Sequence, residues 1–302
     1  MKVRRGPDGV HLFDRKTGAN ILLDEEIPPQ SSWSTSPRQV SIALTNACDL
    51  VCPHCYAPKQ KAALDSKNVK RWISELDEHG CFGVGFGGGE PTLHSDLVDI
   101  CKFGQSQTNL AITMTTHGHR LNDALLSQLA GNINFIRISM DGVGSTYETI
   151  RNRSFDSLLK ILRNMRDVIP FGLNYVINSQ TIDGLDDAAQ IAEDVGACEI
   201  LLLPEEAVGK GTKIDNVSLE NLIKWVGSYR GSTRLAVSSG GADSFPTANA
   251  LLNEVELSAF AHIDASGNLK NTSFECSGVA IDSTGVMSAF QRLNKEYIEE
   301  IG

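Results

Sequence analysis

The chain has no apolar run approaching the roughly 18 residues that a membrane-spanning helix requires, so its 302 residues are read as a protein that does not cross a bilayer. It is also short of positive charge. Lys and Arg number 27 against 37 Asp and Glu, a net charge of −10, which argues against a nucleic-acid partner because such binding rests on neutralising phosphates. No local basic run overrides this. Met1–Arg5 is brief and leads into polar sequence, not into the apolar core of a signal peptide. Cysteine is scarce as well: seven in a chain of this length, three of them clustered, do not make a disulfide scaffold. A reducing, cytoplasmic setting is expected. Cys81, Cys101 and Cys198 lie in apolar surroundings and are expected to be buried packing residues. Beyond Cys198 only Cys276 remains.

What is present is an alternation. Residues 1–38 form a polar preamble in which G-V-H-L-F-D-R-K-T-G-A-N-I-L-L reads as a hairpin turning at Lys16–Gly18. Short apolar strands are expected at Gln39–Thr45, Gly83–Phe86, Leu110–Thr115, Asn132–Ser139, Gly172–Ile177 and Glu199–Leu203. Between them Val69, Trp72, Ile73 and Leu76 follow a helical stripe, as do Phe155, Leu158, Leu159 and Leu162. Gly80, Gly131 and Gly196 stand where helix C-terminal caps belong. Strand–helix units in series imply a parallel sheet with right-handed crossovers, either a doubly wound sheet or an open (β/α)6 barrel. Both place chemistry at the C-terminal ends of the strands.

The polar motifs fall at those ends. T-N-A-C-D-L-V-C-P-H-C-Y follows the first strand, G-G-G-E-P (Gly87–Pro91) the second, T-T-H-G (Thr115–Gly118) the third and S-M-D-G (Ser139–Gly142) the fourth. The first carries Cys48, Cys52 and Cys55 in a C-x3-C-x2-C spacing, with Tyr56 directly after. Three thiolates hold three irons of a cubane cluster, whereas a purely electron-carrying cluster uses four cysteines. The iron left over has an open position, the mark of a metal site that binds substrate or cofactor. A zinc knuckle is the alternative, with His54 as the fourth ligand, but His54 lies between two of the cysteines and no partner pair follows. Gly83, Gly85 and Gly88 match G-x-G-x-x-G literally. A dinucleotide loop, however, opens a helix, and here the glycines begin within a strand and run into Glu90 and Pro91.

The cysteine spacing, its trailing aromatic and the three further motifs resemble the radical S-adenosylmethionine (SAM) superfamily over about residues 39–205. The resemblance implies a partial (β/α)6 barrel, one [4Fe–4S] cluster on Cys48, Cys52 and Cys55, and SAM at the open iron. Reductive cleavage would give a 5′-deoxyadenosyl radical that takes a hydrogen atom from substrate, the electron coming from a flavodoxin or ferredoxin. Carried onto this chain, Gly88, Gly89 and Glu90 would contact the SAM amino group and Ser139 its ribose or carboxylate. Arg151, in Y-E-T-I-R-N-R-S-F, would reach the carboxylate, with Arg153 as the fallback, and Tyr56 would lie near the adenine. Asp141 is read as capping a turn. Thr116 and His117 stand where many relatives have an asparagine before the glycine, and His117 and His119 are read as rim residues able to handle protons.

Residues 206–302 are expected to form a small α+β extension. S-A-F-A-H-I-D-A-S-G-N-L-K-N-T-S-F resembles the strand–turn–strand of the SPASM or twitch extensions, with Asp264–Gly267 as the turn. Those extensions bind auxiliary clusters through several cysteines, and Cys276 alone cannot, so a degenerate extension without an auxiliary cluster is expected. Cys276 is either a hydrogen-atom donor to a substrate radical or a leftover buried thiol. The similar enzymes modify ribosomally made peptides by cross-linking or epimerisation, and a peptide is the first expectation. Residues 1–38 are too short for a leader-binding domain, so a separate recognition protein, or a small metabolite such as a sugar or amino acid, is the alternative. An iron–sulfur electron carrier or redox sensor on a degenerate scaffold, and a zinc-stabilised interaction domain, are the readings from other classes.

Overall fold

The computed structural model describes residues 1–301, and the side chains of all of these except 239–240 and 296–301. The first elements are three antiparallel strands, β1 (Lys2–Gly6), β2 (Gly9–Phe13) and β3 (Asn20–Leu23). The expected hairpin is therefore β2–β3, and β1 adds a third strand that the short polar run K-V-R-R-G concealed. This small sheet is pinned to the N-terminal ends of the larger sheet by two arginines. Arg4, buried, donates from Nε to Glu254 at 2.7 Å and from its two terminal nitrogens to the carbonyls of Gly80 and Ser258. Arg15 donates to the carbonyls of Gln105, Thr108 and Leu110.

The alternation follows: β4 (Gln39–Thr45), α1 (Ser66–Glu78), β5 (Gly83–Gly88), α2 (Leu97–Gln107), β6 (Ala111–Thr116), α3 (Asp123–Leu129), β7 (Phe135–Ser139), α4 (Ser145–Arg151), α5 (Phe155–Met165), β8 (Phe171–Ile177), α6 (Leu185–Val195), β9 (Glu199–Pro204), α7 (Asn216–Ser228) and β10 (Arg234–Val237). Every strand from β4 to β10 is parallel to its neighbour. Helix α1 shows why these segments fold as they do. Asp65 caps its first turn by accepting from the amides of Lys67 and Asn68, and Val69, Trp72, Ile73 and Leu76 are the residues it buries. Each such side chain contributes about 1.5–3 kcal/mol through burial. Gly80, Gly131 and Gly196 follow α1, α3 and α6 with φ of 93°, 76° and 77°, as C-terminal caps do.

Strand boundaries move by a residue or two from expectation, except at β7. Asn132 and Ile133 belong to the turn closing α3, where both amides donate to Leu129, so β7 begins at Phe135. Cys81 and Cys101 are buried as expected, but Cys198 is exposed. It precedes β9 directly, and the apolar residues around it turn inward while it turns out.

Residues beyond α7 extend the sheet at both edges. β10 lies beside β9. After α8 (Glu256–Ala259), β11 (Phe260–Ile263) runs parallel to β4, and β12 (Asn268–Lys270) and β13 (Val279–Ala280) continue antiparallel, giving the order β10-β9-β8-β7-β6-β5-β4-β11-β12-β13. The expected turn at Asp264–Gly267 joins β11 to β12, with the Asp264 carboxylate accepting from the amides of Ser266 and Asn268. The last helix, α9 (Val286–Ile301), packs on α1. Glu75 of α1 caps it by accepting from Val286 N at 2.7 Å.

Candidate metal centre and cofactor site

The loop between β4 and α1 brings Cys48, Cys52 and Cys55 over the C-terminal ends of the strands, all three as free thiols. Its foundation is β5. Gly88 has φ of 107°, and a Cβ there would lie 2.4 Å from the Thr45 carbonyl; one on Gly89 would lie 2.2 Å from that of Ala47. The glycines thus let the chain pass directly under the cysteine loop, which they hold through Gly89 N to Thr45 O at 2.7 Å and Glu90 N to Ala47 O at 2.8 Å.

Glu90 is almost fully buried and its carboxylate is fully engaged. Oε1 accepts from Thr92 N, Thr92 Oγ1 and Thr116 Oγ1, and Oε2 accepts from His117 N at 3.0 Å. It ties the ends of β5 and β6 together. His117 accepts at Nδ1 from His119 N, which leaves the proton on Nε2, 2.8 Å from Asp49 Oδ1 and 3.3 Å from Glu90 Oε2. His119 bonds the Tyr147 hydroxyl at 2.7 Å, and burial, with His117 beside it, lowers its pKa to about 4. These two histidines are thus built into the rim by named partners.

On the far side, Asp141 joins three segments. It pairs with Arg151, accepts from His54 Nε2 at 3.0 Å and accepts from Val176 N at 3.0 Å. Burial alone would raise its pKa; the Arg151 guanidinium and His54 outweigh that and hold it near about 2. Arg151 in turn donates to Cys52 Sγ at 3.4 Å, and its Nε is buried without a partner. The sequence reads Asp141 as a turn cap, yet it links the β7 end, β8, α4 and the cysteine loop. Lys59, which sequence reading passed over, donates to Cys55 Sγ at 3.2 Å. Arg153 instead reaches the Asp49 backbone and carboxylate. Ser139 ends β7 beside Asn174 of β8, whose Oδ1 is buried without a partner. Tyr56 is partly exposed and meets Phe274 edge-on at 5.2 Å, so the loop carrying Cys276 abuts the cysteine loop, with Cys276 itself exposed.

Among the described residues, the ligand atoms that gather within 4.8 Å of one another are those of Cys48, Asp49 and His117; the three cysteine sulfurs are not such a group. A single tetrahedral zinc needs closer sulfurs than that. His117 has both ring nitrogens engaged, and His54 is committed to Asp141. Burial raises the pKa of Cys48 and Cys52, so a bound metal must draw off their protons. Arg151 and Lys59 beside the sulfurs favour the thiolates.

A family model described as the radical SAM superfamily matches residues 42–192. The chain belongs to the radical SAM superfamily. Its relatives include the mycofactocin maturase MftC of Mycolicibacterium smegmatis, 30% identical over 162 residues, covering 51% of this chain and 41% of that protein. The Fe-coproporphyrin III synthase of Methanosarcina barkeri is 26% identical over 184 residues, covering 58% and 46%. The chain thus spans less than half the length of these curated relatives. Among solved structures, Streptococcus suis SuiB bound to S-adenosylmethionine superposes with a TM-score of 0.73 at 14% identity, over 90% of this chain and 81% of that one. SuiB with its precursor peptide SuiA gives the same score. That likeness establishes the radical SAM barrel fold. Radical SAM membership implies a [4Fe–4S] cluster and S-adenosylmethionine, and three free thiols flanked by cations fit the cluster. No helix among the described residues is long and apolar enough to cross a membrane.

Proposed function

We propose that this protein is a radical SAM enzyme that carries one cluster, on Cys48, Cys52 and Cys55, and modifies a ribosomally made peptide. When bound, the cluster and SAM supply reductive cleavage and abstraction of a hydrogen atom from substrate. The observation that carries the reading is the chain of contacts from Cys52 through Arg151 to Asp141, which joins the cysteine loop to the strand ends where SAM would sit.

The protein's own residues then divide the work. The backbone of Gly88 and Gly89 would take the SAM amino group, with Glu90 holding that backbone in register. Arg151 would take the SAM carboxylate, Ser139 the ribose or carboxylate, and Tyr56 the adenine. Asp141 positions Arg151 and keeps its charge balanced. Residues 1–38 form an N-terminal segment, 39–205 the barrel core, and 206–302 a degenerate SPASM/twitch-like extension without an auxiliary cluster. In this reading Cys276 returns a hydrogen atom to the substrate radical, and its loop reaches the site through the Phe274–Tyr56 contact. A flavodoxin or ferredoxin supplies the electron, and a separate protein presents the peptide. The fold shared with peptide-bound SuiB supports the peptide. The Fe-coproporphyrin III synthase relative supports a second reading, a small metabolite as substrate.

Anaerobically reconstituted, reduced protein is expected to convert SAM to 5′-deoxyadenosine, and Cys52→Ala is expected to lose both colour and cleavage. A brown protein that never cleaves SAM, with or without added peptide, would instead be an electron carrier. For Cys276, the Cys276→Ala variant turned over in deuterated solvent should lose solvent-derived label from product; unchanged labelling removes the donor role.

A further inference from the structure

Below the rim, the inner face of the sheet is uneven in charge. The strand registers align Ala43, Gly87, Thr115, Arg137 and Gly172 in one row, which continues through Glu199 to Arg234. Ile136, Ile138, Leu173 and Ile200 lie in the core beneath the helices, so their neighbours Arg137, Gly172 and Glu199 face the other way. Arg137 stands two residues before Ser139 on the same face of β7, about 6–7 Å below the rim. One half of the row is therefore small side chains, and the other half is arginine and glutamate.

Glu199, buried, pairs with Arg137, whose side chain is 29% exposed, and with Arg234, whose side chain is 74% exposed and lies largely in water. Gly172 makes the pairing possible, since a Cβ there would lie 2.9 Å from Glu199 Cγ and 2.9 Å from the Phe135 ring. Arg137 lies over Phe135, 5.4 Å from the ring centroid, and its Nη1 is buried without a partner. A buried guanidinium nitrogen with no acceptor is costly and calls for an explanation.

We propose that Arg137 is a specificity-determining residue that receives a carboxylate of the substrate, either an acidic side chain or the C-terminus of a peptide. The proposal rests on the peptide-modifying reading above. Glu199 engages Nη2 and the guanidinium lies over Phe135, so Nη1 is the donor left for a carboxylate. The small row of Ala43, Gly87 and Thr115 leaves room opposite.

The test is binding without reductant, so that it stands apart from SAM cleavage. Cluster-loaded, SAM-saturated protein is titrated by calorimetry with three matched heptapeptides: one with a central Asp and an amidated C-terminus, one uncharged with a free C-terminus, and one with neither carboxylate. One carboxylate peptide is expected to bind about tenfold more tightly than the neutral one, the worth of a charge-assisted hydrogen bond. Which of the two it is identifies the carboxylate. The preference should vanish in Arg137→Gln. In Glu199→Gln, which removes the competing carboxylate and serves should the first variant not fold, it should grow. A purely bracing ion pair would lower melting temperature in both variants without changing the order of the peptides. Equal binding of all three, no binding of any, or a preference that survives Arg137→Gln would each overturn the proposal. Failure of SAM cleavage would count against the enzyme reading alone.

Discussion

At the scale of single residues, Asp141 shows where stability and function separate. Its partners Arg151, His54 and Val176 come from three different segments, which is why the motif S-M-D-G alone suggested only a turn cap. Asp141→Asn strands the Arg151 charge in the interior, at a cost of about 3–5 kcal/mol, and is expected to lower both melting temperature and SAM affinity. Replacing the pair together, Asp141→Leu with Arg151→Met, should restore much of the melting temperature while SAM affinity stays lost. Recovery of both would assign the pair a bracing role only. The cysteine triplet stands out in the sequence because ligand chemistry demands both type and spacing. Asp141, Lys59 and Asn174 were not, since their importance comes from neighbours that only folding supplies.

At the scale of elements, the β5 strand and its glycines link fold to site. Gly83, Gly85 and Gly87 share one face of β5, and Gly88 and Gly89 then carry the cysteine loop. Gly89→Ala would press a methyl group onto the Ala47 carbonyl, so iron content after reconstitution is expected to fall severalfold, while far-ultraviolet circular dichroism stays helical. Helix α9 depends on a different contact, the Glu75 cap. Glu75→Ala should weaken its docking by about 1 kcal/mol, seen as earlier proteolysis of the C-terminal segment. Apolar strands such as β4 and the stripe of α1 were read almost to the residue, because periodicity and caps agree there. β7 was overrun at its start because Ile133 continues the apolar run while its amide closes α3.

At the scale of the whole molecule, burial makes the protein sensitive to acid. His262 of β11 is buried against Ser41 of β4, with Nδ1 and Oγ 2.6 Å apart; burial first and Lys270 second lower its pKa to about 4. The unfolded chain takes up that proton near pH 6.5, so the contribution is whole above about 6.5 and is lost as pH falls toward 4. For the cluster-free, reduced chain this site alone removes about 3 kcal/mol over that window. His262→Asn should flatten the fall in urea midpoint over the same range; an unchanged slope would assign it to other groups. The six strands β4–β9 and their parallel order were legible in the alternation, but β10 was not, nor was the place of β11. Short strands far along the chain carry no local mark of which edge they will join.

The seat of β11 beside β4 also sets an order of events in time. Phe260 pairs with Gln39, so the outer edge of the first barrel strand stays open until Phe260–Ile263 have been synthesised. Pairing so distant in sequence closes slowly, and an open edge invites other chains. The cysteine loop springs from that same unfinished strand, so its thiols face oxidants and stray metals throughout elongation. Cluster delivery after β11 has been made would meet β4 paired on both edges, and delivery before it would meet a strand still lacking one neighbour.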